Sequence, residues 1–106
     1  MKIKIKIKEF SNAKTLEKEM AFDIACARAE GGEAVVFLPK EEKDAQKFYK
    51  CILTLLKKYK KMGIVELFLP ADELSENTRE GAYMLNKLPE LPELVVSTPN
   101  AICVKL

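Results

Sequence analysis

The sequence predicts an α/β fold: one compact domain over residues 1–106, with elements in the order β-α-β-α-β-α-β-β. The sheet is expected to be mixed and mostly parallel, to close with a C-terminal hairpin, and to leave at least one strand face open. Three observations predict this. The phrase Gly32-Glu-Ala-Val-Val-Phe37-Leu38-Pro39-Lys-Glu-Glu42 recurs 31 residues later as Gly63-Ile-Val-Glu-Leu-Phe68-Leu69-Pro70-Ala-Asp-Glu73. It reads as two strand-to-helix units joined by a crossover helix. Between the two copies the apolar residues recur at helical spacing. Ahead of them, residues 2–8 alternate lysine and isoleucine with the period of a strand.

Taken in order, the first strand puts Ile3, Ile5 and Ile7 on one face and Lys2, Lys4, Lys6 and Lys8 on the other. The lysine face is expected to meet water, which places this strand at or near a sheet edge and guards it against edge-to-edge pairing. Ser11 or Asn12 can cap the next helix, whose apolar stripe is Leu16, Met20, Ile24 and Ala27. Gly31-Gly32 stops it, because one of the two can take the left-handed conformation past the helix end. Val35 to Leu38 is apolar on both faces, as a central strand requires.

Pro39 ends that strand, and Glu41, Glu42 and Asp44 suit the first turn of a helix over about residues 41–62. Its apolar face is Ala45, Phe48, Tyr49, Ile52, Leu55, Leu56 and Tyr59, and Gly63 closes it. A third strand follows over Ile64–Leu69. A helix is then expected from about residue 72, capped by Asp72, or else capped by Asn77 with Glu80 three residues on. Gly81 weakens it and Pro89 ends it. Leu94–Ser97 and Ala101–Leu106, joined by Thr98-Pro99-Asn100, are expected to pair as a hairpin.

Composition narrows the function classes. The longest apolar runs are far too short to span a membrane, and the charged N-terminus has no signal-peptide core, so a cytoplasmic location is expected. The chain has no histidine, which removes the commonest metal ligand and general base together. Its three cysteines, Cys26, Cys51 and Cys103, are scattered and read as small buried hydrophobes of a reducing compartment. No metal site, cofactor or catalytic residue is expected.

Charge is asymmetric. Residues 1–61 hold 15 Lys/Arg against 9 Asp/Glu, whereas residues 62–106 hold 3 against 7. Such polarity lets one face attract a polyanion, or lets copies of the chain associate into a homo-oligomer. The richest cationic element is the second helix, where Lys43, Lys47, Lys50, Lys57, Lys58 and Lys61 project opposite the apolar face with Thr54 among them. No acid shares that arc. Like charges at i, i+4 cost a few tenths of a kcal/mol per pair, roughly, so the ridge invites a binding role toward RNA or DNA. The plainer reading is a lysine-rich surface that keeps the domain soluble.

Arginine and aromatic residues do not interleave the ridge, so contacts to the nucleic-acid backbone rather than to bases are expected. A second lead is the carboxyl edge of the strands, where ligands of α/β sheets often sit. Ser11, Asn12, Lys40 and Asp72 mark that edge. No glycine-rich phosphate loop accompanies them, and paired acids such as Asp72 and Glu73 have an ordinary structural reason to stand in first helical turns.

Overall fold

The computed structural model describes residues 2–9 and 12–106. Four strands, β1 (Ile3–Lys8), β2 (Ala34–Pro39), β3 (Leu67–Pro70) and β4 (Ile102–Lys105), form one sheet in the order β1-β2-β4-β3. β1 and β2 pair in parallel, and β4 is antiparallel to both β2 and β3. Three strands therefore share one direction, and their carboxyl ends lie along one edge as the repeat implies. The two Phe-Leu-Pro copies are staggered, because Phe37 and Pro70 are both level with Ile102 on the strand between them.

Helices cover both faces. α1 (Ala13–Ala29) and α2 (Ala45–Lys61) lie on one side, and α3 (Arg79–Lys87) and α4 (Leu91–Val95) on the other. The first core joins Leu16, Met20 and Ile24 of α1 and Phe48, Ile52 and Leu56 of α2 to Val35, Phe37, Ile102 and Val104 of the sheet. The second joins Met84, Leu88, Leu91 and Val95 to Ile3, Ala34, Val36 and Cys103. Alternation along β2 and β4 feeds both layers, so the central strands are apolar throughout. The radius of gyration, 12.7 Å, is that of one domain of this length.

Helix ends follow local chemistry. Asn12 caps α1 by accepting a hydrogen bond from the Thr15 N–H (2.8 Å), while Ser11 lies outside the described residues. Gly31, at φ +77°, turns the chain out of α1. Both Phe-Leu-Pro copies lead into a single 3-10 turn, Glu42–Asp44 after the first and Ala71–Glu73 after the second.

Three expectations are corrected. The third helix starts at Arg79, not near residue 72. Its cap is Thr78, whose hydroxyl accepts from the Gly81 N–H at 3.0 Å, rather than Asp72 or Asn77. Gly81 is there for space: a Cβ would stand 2.1 Å from the Ser75 carbonyl oxygen. The expected first strand of the C-terminal hairpin is instead α4. Pro92 at its start pre-sets helical φ, and Leu91 and Val95, one turn apart, are both buried while Val96 is exposed. The last strand consequently pairs between β2 and β3 and not with residues 94–97.

The third correction concerns β1, whose lysine face lies under α1 rather than in open water. Lys4 reaches Glu30 at 2.8 Å and Lys8 reaches Asp23 at 2.6 Å. The open face of this edge strand carries isoleucine. Ile3 is buried against α3 and α4, but Ile5 is 42% and Ile7 63% exposed.

Candidate functional site

α2 is strongly two-sided. Phe48, Ile52, Leu56 and Tyr59 are buried on its inner face. At about 100° per residue, positions 47, 50, 54, 57 and 61 fall on a single outward stripe about 21 Å long, with Lys43 in the 3-10 turn just before it. All are lysine except Thr54, and all are exposed. Lys47, Lys50, Lys57 and Lys61 have no carboxylate within 4 Å among the described residues. The other two expected ridge members are ion-paired: Lys43 with Glu41 at 3.0 Å, and Lys58 with Glu17 of α1 at 3.7 Å. The expectation that no acid shares the ridge is thus corrected at its acidic N-terminal end and on its α1 flank. Glu41 raises the Lys43 pKa by hydrogen bonding and by charge.

The Thr54 hydroxyl donates back to the Lys50 carbonyl (2.9 Å), so the stripe presents ammonium groups and little else. Near its C-terminal end, Thr54, Lys57, Lys58, Lys61 and Met62 line an open depression of about 490 Å³. The cationic surface continues onto α1, where Lys14 and Lys18, one turn apart, are exposed and without a carboxylate within 4 Å among the described residues. These two were legible in the sequence, since both stand opposite the Leu16–Met20–Ile24 stripe. Only the fold shows that α1 and α2 share one side of the sheet and so bring these lysines to the same surface.

The carboxyl edge of the strands looks different. The loop containing Pro99 divides it into two shallow clefts. One, of about 380 Å³, includes Ile7, Leu38, Lys40 and Thr98. The other, of about 300 Å³, includes Asp72, Leu74 and Val95. Lys40 and Asp72 therefore line separate clefts, and Lys40 is bound to Glu9 at 2.6 Å, an interaction that lowers the Glu9 pKa. Asn12 is engaged in capping α1. Ser11, also expected at this edge, lies outside the described residues.

Elsewhere, Glu66 accepts from the Tyr83 hydroxyl and from Lys105 at 2.6 Å, tying α3 to the sheet. Those two hydrogen bonds, Lys105 first, hold its carboxyl below the usual range. Burial pushes the Cys103 thiol up to about 12, and burial followed by the charge of Glu17 raises that of Cys51. Neither is the thiolate that nucleophilic chemistry requires. Among the described residues no three His, Cys, Asp or Glu side chains gather to hold a metal ion, and no helix is long and apolar enough to cross a membrane.

Fold and surface together define a small α/β domain with a cationic helical layer on one side of a mixed sheet. Compared with known proteins, the chain matches no family model, no curated protein and no solved structure.

Proposed function

We propose that this protein is a non-catalytic binding module that docks the sugar–phosphate backbone of RNA or DNA on the outer face of its helical layer. The observation that carries this reading is the stripe Lys47, Lys50, Lys57 and Lys61, exposed along one helix face with no carboxylate within 4 Å of any of the four among the described residues. A solvated helix ordinarily interleaves acids with its lysines and gains from each i, i+4 pair. This one forgoes that gain. Lys14 and Lys18 extend the same surface across α1.

The chemistry sets the mode of binding. Lysine attracts phosphate as a point charge without the two-pronged geometry of arginine. The stripe offers no exposed aromatic ring for bases to stack on. Binding is therefore governed by counterion release and indifferent to sequence. The stripe spans about six phosphates of one strand at roughly 3.4 Å each.

The test is charge reversal. Lys50→Glu, Lys57→Glu and Lys61→Glu together should abolish binding to short single- and double-stranded oligonucleotides in a gel-shift assay. Lys87→Glu, on the opposite side of the sheet, should leave binding intact. Binding that survives the triple change would eliminate the stripe as the interface.

A further inference from the structure

We propose that two copies of this chain pair edge to edge through β1, in antiparallel register, to form one eight-stranded sheet. The first ground is hydrogen bonding. The Lys2 carbonyl accepts from the Ala34 N–H and the Lys8 carbonyl from the Lys40 N–H, so the even-numbered residues of β1 turn their backbone groups toward β2. By alternation, Ile3, Ile5 and Ile7 turn theirs to the free edge. Among the described residues nothing pairs with that edge in the sheet, since β1 stands first in the order β1-β2-β4-β3.

The second ground is that part of the edge's usual protection is engaged elsewhere. Lysines guard an edge strand when they stand free at it. Here Lys4 is drawn to Glu30 and Lys8 to Asp23 on the α1 side. What remains on the other face is Ile5 and Ile7. Phe22, 68% exposed, stands on α1 about 60° outward from Glu19, the residue that approaches Lys8. Two exposed large apolar side chains, Ile5 and Ile7, thus stand on the unpaired edge strand itself.

The third ground is symmetry. A two-fold axis through Ile5, perpendicular to the sheet, pairs Ile5 with the partner's Ile5 and Ile3 with the partner's Ile7. All three residues have outward backbone groups, so each pair exchanges two hydrogen bonds, about six in total. The same register places isoleucine across from isoleucine on one face. On the other face it sets Lys6, which has no acid within 4 Å among the described residues, level with the partner's Lys4, beside the partner's Glu30. Lysine thus stands across from lysine on that face, a like-charge pairing offset in part by the Glu30 and Asp23 carboxylates that each α1 holds beside Lys4 and Lys8. The opposite edge strand, β3, is only four residues long and closes on Pro70, which has no N–H to donate. The axis keeps both α2 stripes on the same side of the joined sheet. The pairing itself requires no nucleic acid.

Sedimentation equilibrium of the full chain up to about 100 μM, without nucleic acid, should resolve a monomer–dimer equilibrium. Ile5→Pro removes one outward N–H and leaves the β2 ladder intact, because the Ile5 backbone faces away from β2. It should weaken the dimer at least about 100-fold while the circular dichroism spectrum is retained. Ile5→Cys provides an arm that does not depend on proline being tolerated. Directly paired residues stand about 5.5 Å apart, within disulfide reach, so oxidation should link this variant, and not the parent chain, into a covalent dimer. A parent chain that stays monomeric throughout would overturn the proposal. So would a dimer that persists in folded Ile5→Pro, or an Ile5→Cys chain that does not cross-link.

Discussion

Lys8 Nζ lies 2.6 Å from Asp23 Oδ2, and this pair fastens the edge strand β1 to the underside of α1. Both side chains are largely covered, at 14% and 8% exposure, with Glu19 a second acid at 3.9 Å from Lys8. Asp23 Oδ2, the oxygen that Lys8 approaches, is buried and accepts no well-directed hydrogen bond among the described residues, so the attraction is chiefly that of charge.

Breaking such a pair by removing one member leaves an uncompensated charge in a poorly solvated place. Lys8→Met should therefore destabilise the domain by about 3 kcal/mol in urea denaturation. Lys8→Met combined with Asp23→Leu should recover most of that loss, because an apolar pair of similar volume needs no compensation. A double variant as unstable as the single one would show that packing, not charge, is at stake.

Gly81 offers a second test. By intrinsic helix propensity, Gly81→Ala in α3 should stabilise by about 1 kcal/mol. The structure predicts the opposite sign. The new Cβ would stand 2.1 Å from the Ser75 carbonyl oxygen and 2.6 Å from Thr78 Oγ1, so the 75–78 loop must move and the cap must break. A net loss of about 2 kcal/mol or more is expected in the same denaturation assay.

The cap itself can be weighed alone. Thr78→Ala removes the acceptor of the Gly81 N–H and should cost about 1 kcal/mol. Asn77→Ala, at the alternative cap that sequence spacing offers, should cost much less, because its side chain makes no capping bond. Equal losses at the two positions would contradict the assigned helix start.

Cys103 predicts alkaline sensitivity. Burial raises its thiol from 9.0 to about 12, so the folded state favours the protonated form. A raised folded value means the associated stability is complete below pH 9 and is lost as pH rises toward 12. Over that window the contribution falls by about 1.4 kcal/mol per pH unit. Cys103→Val, similar in volume and without a titrating group, should flatten the stability–pH profile above pH 9 relative to the parent chain. Parallel profiles for the two proteins would refute the assignment.

Much of the fold was legible because local and tertiary preferences agree. Val35–Leu38 is apolar on both faces and is central. Phe48, Ile52 and Leu56 keep helical spacing and are buried. The misreadings have physical causes. Val95-Val96 looked like strand on β-branching alone, whereas Pro92 and the Leu91–Val95 spacing form a single helical turn. β1 was read as lysine-out because free lysine prefers water. Asp23 and Glu30 on α1 reverse that preference by supplying partners, and only the packing of α1 over β1 reveals them. The α2 ridge was visible as periodicity, but its continuation through Lys14 and Lys18 needed to know which helices share a side. The separation of Lys40 from Asp72 likewise depends on the insertion of β4, a non-local pairing.

The most direct measurement of the central claim is the salt dependence of oligonucleotide binding, followed by fluorescence anisotropy on the parent chain and on single Lys→Glu variants of the stripe. Four unpaired lysines on phosphate predict a slope of log K against log salt of about −3 for single strands and about −4 for duplex. Affinity should then fall by about 100-fold between 50 and 200 mM salt. Each single reversal at Lys47, Lys50, Lys57 or Lys61 should reduce the slope by about one. Flat anisotropy at low salt, or a slope unchanged by these reversals, would contradict the account and leave the lysine stripe a solvated surface.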